Sequence, residues 1–226
     1  MFHDQGNTHL IDLEKTFLEA CRKSDYTKVR ACLDLGVNVN AEDSNYEFGL
    51  ILAVLRNDIE LCEMLLGHPG IHVNQTYFDD YTGERYTPLM MSCVRGHEEI
   101  TQKLVSHPEI CLDIQYDLGY PAAFMAVKYG HIGCVRILSM QNDVNWNLFP
   151  NGDTVLTYTL KERKTDVAKL ILSIPNLDID IDHLKRQGVH EAAVDLCKQG
   201  GASYQLAKLL NSNNRPECPV LKQKKY

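Results

Sequence analysis

The 226-residue chain has no uninterrupted apolar run of the roughly 18 residues that a membrane-spanning helix needs. Its opening, MFHDQGNTHL, lacks the basic and apolar regions of a secretory signal. It has no excess of positive charge. Against 30 Asp and Glu stand 23 Lys and Arg, and the net charge of −7 disfavours nonspecific attraction to DNA, RNA or anionic lipid. G-x-S-x-G, H-E-x-x-H, P-loop and dinucleotide-binding fingerprints are all missing. Together these absences set the expectation of a non-enzyme with no cofactor, no small-molecule substrate, and neither nucleic acid nor membrane as partner. What is present is ordinary for a globular chain: 44% hydrophobic and 23% charged residues, enough for a real core in one domain or two.

Eight cysteines (Cys21, Cys32, Cys62, Cys93, Cys111, Cys134, Cys197 and Cys218) could make four disulfides in a secreted chain. Several fall at apolar positions of helical patterns, where a free thiol acts as a small hydrophobe. With no signal peptide, the expectation is reduced, buried thiols in the cytoplasm or nucleus.

The strongest positive signal is an internal repeat. An apolar anchor opens a first helix at Phe17, Leu50, Leu89, Ala123 and Leu156, at intervals of 33, 39, 34 and 33 residues. Three residues after each anchor comes a small or apolar pair: Ala20-Cys21, Ala53-Val54, Ser92-Cys93, Ala126-Val127 and Thr159-Leu160. Small side chains there let successive first helices stack closely. A helix break follows at Gly96 and Gly130, where glycine takes the left-handed conformation without strain, and at Asn57, the next-best residue sterically. Ser24 and Arg163 fill the same place with poorer steric fit. The second helices carry apolar residues at helical spacing, for example Leu61, Cys62, Leu65 and Leu66, or Ile100, Leu104 and Val105. Each unit closes on an extended element: VNVN (37–40), IHVN (71–74), LDIQ (112–115), VNWN (144–147) and LDID (177–180). Polar hairpins with Gly119 and Gly152 at their turns lead back to the next anchor. His68-Pro69 and His107-Pro108 recur at equivalent places and read as helix terminators.

This pattern resembles the ankyrin repeat family. The resemblance is carried by Thr87-Pro88-Leu89 with Gly96-His97, by Gly119 through His131, and by Gly152-Asp153-Thr154-Val155-Leu156. It departs from the family at the residue after the anchor, where a His is replaced by Leu18, Ile51, Met90, Phe124 and Thr157. The resemblance implies an all-α solenoid of helix-turn-helix units with β-hairpin-like loops, about four internal repeats between degenerate caps. The expected units are 13–43, 44–79, 80–116, 117–148, 149–182 and 183–210, the last opening at Val189 and broken at Gly200-Gly201 before Tyr204 to Leu210. Residues 1–12 are expected to be a loose lead-in. The stretch 211–226, with Pro216, Pro219 and the Lys222 to Lys225 run, is expected to be a flexible tail. The family also implies a non-enzymatic module or adaptor, expected here as a monomer, that binds a protein or peptide on its concave hairpin and inner-helix face. A stand-alone inhibitor that sequesters a transcription factor or kinase is the alternative.

On that face the hairpin tips carry Tyr46, Tyr86, Tyr120 and Phe149, and the first helices carry Arg56, Arg95, Lys128 and Tyr129. Tyr and Arg are the residues that most often anchor protein interfaces. The longest interval contains the unusual stretch QTYFDDYTGERY, whose Tyr77, Phe78 and Tyr81 are candidates to face a partner, the alternative being that Tyr77 and Phe78 fold back onto the neighbouring hairpin. The family further implies that Asn40, Asn74 and Asn147, at the end of the VN element, are candidates for hydroxylation. Cys93 and His97 have a spacing that could hold one edge of a metal site, but no complementary pair accompanies them, so packing and turn roles are expected. Asp79, Asp80 and Glu84 lack the ordered ligand spacing of a calcium loop and read as a solvated tip. Trp146 stands at a Val position and is expected to be partly buried rather than in contact with a ligand.

Overall fold

The computed structural model describes residues 5–115, 119–148, 153–174, 177–200, 205, 207, 209 and 210, with only the backbone of 5–11 and 200. Phe149, the turn at Gly152, Gly201, Tyr204 and the whole 211–226 tail lie outside these residues.

The chain forms two compact units, Met1–Val155 and Leu156–Tyr226. In the first unit the helices come in antiparallel pairs. They are α1 (Gln5–Lys23) with α2 (Tyr26–Asp34), α3 (Gly49–Arg56) with α4 (Ile59–Leu66), α5 (Pro88–Arg95) with α6 (Glu98–Val105), and α7 (Ala122–Tyr129) with α8 (Ile132–Ser139). A short hairpin of β1 (Tyr77–Asp79) and β2 (Glu84–Tyr86) precedes α5. The first helix of each pair packs on the next first helix, α1 on α3, α3 on α5 and α5 on α7. The second helices do the same, α4 on α6 and α6 on α8. This is the expected all-α stack. The small pairs make it possible, since Ala20, Cys21, Ala53, Val54, Ser92, Cys93, Ala126 and Val127 are all buried between helices.

Local chemistry sets the helix ends. Asp25, Asp58 and Thr87 each accept a hydrogen bond from the backbone N–H three residues on, the usual satisfaction of an orphan donor at a helix start. Every predicted break is left-handed, including the two sterically poor ones: Ser24 (φ 53°), Asn57 (54°), Gly96 (72°), Gly130 (80°) and Arg163 (55°). His68 and His107 do more than stop a helix. Each ring Nδ1 accepts from the backbone N–H two residues on, at Gly70 and Glu109. Trp146 is buried.

No His follows the anchors, but two others make bonds between units. His97 Nδ1 lies 2.9 Å from the carbonyl oxygen of Val54, and His131 Nε2 lies 3.0 Å from that of Val94. Each therefore ties its own unit to the end of the preceding first helix. Burial holds the His97 imidazole below its usual titration range.

The structure departs from the sequence reading at both ends. Helix α1 starts at Gln5 rather than after residue 12, since no proline interrupts Gln5–Lys23. In the second unit, α9 (Val155–Lys161) and α10 (Thr165–Leu172) follow the expected register. The sixth element, however, opens at Ile181 rather than Val189. Asp180, the last residue of LDID, accepts from His183 N–H and so starts α11 (Ile181–Arg186) with no intervening hairpin. Gly188 (φ 71°) then breaks the chain, and α12 (His190–Gly200) packs on α10 and α11.

Candidate functional site

The hairpin tips and the last turns of the first helices bring most of the predicted interaction residues to one side of the first unit. The first tip, residues 42–48, is braced from below. Glu42 and Phe48 form an antiparallel bridge, and the Asp43 carboxylate accepts from the N–H groups of Asn45 and Glu47. The Arg22 guanidinium, at the end of α1, pairs with Asp43 and with Glu47, the latter at 2.9 Å. Tyr46 rides on this braced turn with φ 59°, a left-handed conformation rare for a bulky residue, and stays half exposed at 51%.

The second tip is the long insert. Its strands pair Tyr77 with Tyr86, Phe78 with Arg85 and Asp79 with Glu84. Asp79 closes the turn: its carboxylate accepts from Tyr81 N–H and Thr82 Oγ1, and its carbonyl accepts from Gly83 N–H at 2.7 Å. The acid that a calcium loop would require is thus used to shape the turn. Tyr81 stands at the apex, 96% exposed. Phe78 leans back and meets the Tyr46 ring edge-on, with centroids 6.1 Å apart. Glu42, Tyr46, Thr76, Phe78 and Arg85 line a cleft of about 280 Å³ between the two tips. Phe78 thus folds onto its neighbour while Tyr81 faces solvent.

Tyr86 corrects the expectation of an exposed tip residue. It is buried beside the start of α5, its hydroxyl donates to Glu84 at 2.9 Å, and burial pushes that phenol up to about 12. Tyr120 is half buried, stacked on Phe124 with centroids 4.6 Å apart. The Lys128 ammonium sits 5.1 Å from the Tyr120 ring and 5.6 Å from that of Tyr129. Arg56, Arg95, Lys128 and Tyr129 are exposed, as the repeat register predicts. Tyr77 is half buried. Burial and nearby acids raise its hydroxyl, and the Arg95 charge opposes that rise. Glu42, Thr76 and Arg85 were missed because only a cross-strand register reveals that they share the cleft.

The Cys93–His97 pair divides between two structural tasks. Cys93 is fully buried, and its thiol is raised by contact with the Cys134 thiol and by burial, while the His97 ring turns to the Val54 carbonyl. All seven described cysteines are free thiols, six of them buried and Cys111 exposed.

The candidate asparagines lie at the edges between units. Asn40 donates through Nδ2 to the Gly70 carbonyl and accepts from His72 N–H, both at 2.7 Å. Asn74 repeats the motif one unit on, donating to the Glu109 carbonyl and accepting from Cys111 N–H. At Asn147 the backbone N–H donates to the Asn145 side chain within the same turn. Between the third and fourth units the lateral bond comes from Asp113, which accepts from Asn145 N–H.

The comparisons with known proteins agree with this architecture. A sequence model described as ankyrin repeats (three copies) matches residues 17–116 and 50–149, two overlapping spans that run from within α1 past the end of α8. A poly [ADP-ribose] polymerase tankyrase from Caenorhabditis elegans is 27% identical over a match covering 50% of this chain and 6% of that protein. So small a share of the relative carries no statement about its catalytic activity. Ankyrin repeats generally mediate protein–protein interaction and are typically non-catalytic. On the strength of the matched spans and the stacked helix pairs, the chain belongs to the ankyrin repeat family.

Proposed function

We propose that this protein is a non-enzymatic binding module or adaptor, and that it holds a protein or peptide partner against the side formed by its hairpin tips and first helices. One observation carries the reading. Side chains that would be expected to pack or pair are instead presented to solvent from a braced scaffold on that side: Tyr46, Tyr81 and Tyr129 at 51%, 96% and 45% exposure, beside Arg56 and Arg95. Rigid aromatic and Arg side chains lose little entropy on binding and are the usual anchors of an interface.

The test is affinity purification with the wild type beside two variants, Tyr46→Ala/Tyr81→Ala and Arg95→Ala/Tyr129→Ala. Loss of a stoichiometric partner from either variant, at unchanged melting temperature, is the expected result. If both variants keep the partner, the site is elsewhere. We also propose Asn40 and Asn74, which hold equivalent places between units, as hydroxylation sites, with Asn147 as a third. An intact mass from a native source without an added oxygen would remove that proposal.

A further inference from the structure

In the first unit the last residue before each left-handed break occupies one equivalent position, six residues after the anchor; in the second unit Glu162 stands there. The first-unit residues are Lys23 in α1, Arg56 in α3, Arg95 in α5 and Tyr129 in α7, and all four are exposed. Because α1 packs on α3, α3 on α5 and α5 on α7, these positions form a column of three cations closed by a tyrosine.

A cation in the last turn of a helix is favoured by the helix dipole. Lys103, Arg136 and Lys169 in the last turns of α6, α8 and α10 show the same preference, but the dipole supplies no counter-charge. Nor does a local acid form an ion pair with any of the three, although the Lys23 charge adds, after the Lys28 hydrogen bonds, to the lowering of the Asp25 carboxyl. Arg22, one residue before Lys23, is paired with Asp43 and Glu47, and Lys103 with Glu63. Among the described residues Lys23, Arg56 and Arg95 form no ion pair, in a protein of net charge −7 with 30 carboxylates. A row of unpaired positive charge in an acidic protein is complementary to an anionic ligand.

The spacing of the row restricts the ligand's shape. Packed helices lie about 8–10 Å apart. A β-strand presents one face at steps of about 7 or 13 Å, neither of which matches. A polyproline II segment returns to the same face every third residue, after about 9.3 Å, which does. Tyr129 at the end of the row adds the aromatic surface on which such segments dock.

We propose that the Lys23–Arg56–Arg95 column binds a partner segment in the polyproline II conformation with an acidic side chain at every third position. The proposal rests on the reading of this side as the binding face and names the chemistry of its ligand.

The test uses the full chain, labelled with nitrogen-15, and two peptides of identical composition. Glu-Pro-Pro-Glu-Pro-Pro-Glu has the matching spacing, and Pro-Pro-Glu-Glu-Glu-Pro-Pro does not. The spaced peptide is expected to shift the amide resonances around residues 23, 56 and 95, to bind roughly fivefold tighter than the permuted one, and to weaken with added salt. Arg56→Gln/Arg95→Gln should lower its affinity roughly tenfold while melting as the wild type does. Equal affinity for the two peptides, no binding of either, or wild-type affinity in the variant would overturn the proposal. None of those results touches the broader reading, which fails only if the tyrosine and Arg95/Tyr129 variants keep their protein partner.

Discussion

At the scale of single residues, two glycines at the same repeat position show how the same backbone demand is met in different surroundings. Gly96 and Gly130 both sit at positive φ, 72° and 80°. A Cβ on Gly130 would meet nothing within 4 Å, whereas one on Gly96 would run into the His131 ring. Gly130→Val therefore pays only for forcing a β-branched residue into the left-handed region, about 1–2 kcal/mol. Gly96→Val carries the same strain and also displaces His131 from the Val94 carbonyl, about 1 kcal/mol more. Thermal melting of the two variants should rank Gly96→Val below Gly130→Val, and both below wild type. Equal melting temperatures would mean that the His131 bond contributes nothing. The glycine positions were legible from spacing alone. That one of them also seats a histidine from the next unit was not, because the contact joins residues 35 apart.

At the scale of elements, the first hairpin tip depends on a side chain from a helix that precedes it. Arg22 ends α1 and bridges Asp43 and Glu47, so the turn bearing Tyr46 is held by a partly exposed ion-pair network. Exposed pairs contribute little individually, and Arg22→Ala should cost only about 1 kcal/mol of global stability. Its local effect should be larger. Amide exchange over residues 43–47 is expected to accelerate well beyond the change in the helices, since the bracing carboxylates lose their partner. Uniform acceleration across the unit would show that Arg22 supports the fold and not the tip. The insert teaches a related lesson. Its aromatic content marked it as unusual, but only the pairing of Tyr77 with Tyr86 decides that Tyr86 faces inward while Tyr81 stands at the apex. Side chains alternate along a strand, so a one-residue shift of register would exchange the two faces.

At the scale of the whole molecule, buried neutral groups make stability sensitive to alkali. Burial pushes the Cys21 and Cys62 thiols up to about 12, from 9.0, and the Tyr86 phenol up to about 12, from 10.0. These folded-state values lie above the unfolded ones, so the stabilisation is complete below about pH 9 and is lost as pH rises toward 12. In that window the unfolded chain releases protons that the folded chain retains, and each group lowers stability by about 1.4 kcal/mol per pH unit. Chemical denaturation between pH 8 and roughly pH 10.5 should show a falling midpoint, steeper in the wild type than in a Cys21→Ala/Cys62→Ala variant compared with its own value at pH 8. Parallel slopes would show that these thiols titrate freely. His97 acts at the opposite end: its folded-state value is lowered, so its contribution is lost as pH falls below 6.5.

The amino-acid sequence by itself determined the period, the helix pairs, the burial of the small residues and the left-handed breaks. Each of those follows from residue type at fixed short spacing, and even Ser24 and Arg163 were placed correctly by register despite their poor steric fit. It also marked most of the exposed side chains, because the position before a break points outward in every unit. The tertiary structure alone decided what lies between units: the carbonyls that receive His97 and His131, the bridges from Asn40 and Asn74, the burial of Tyr86, and the alignment of Lys23 with Arg56 and Arg95. The hydrogen bonds among these join residues 30 to 43 positions apart, and a local pattern holds no information about which atoms meet across that distance.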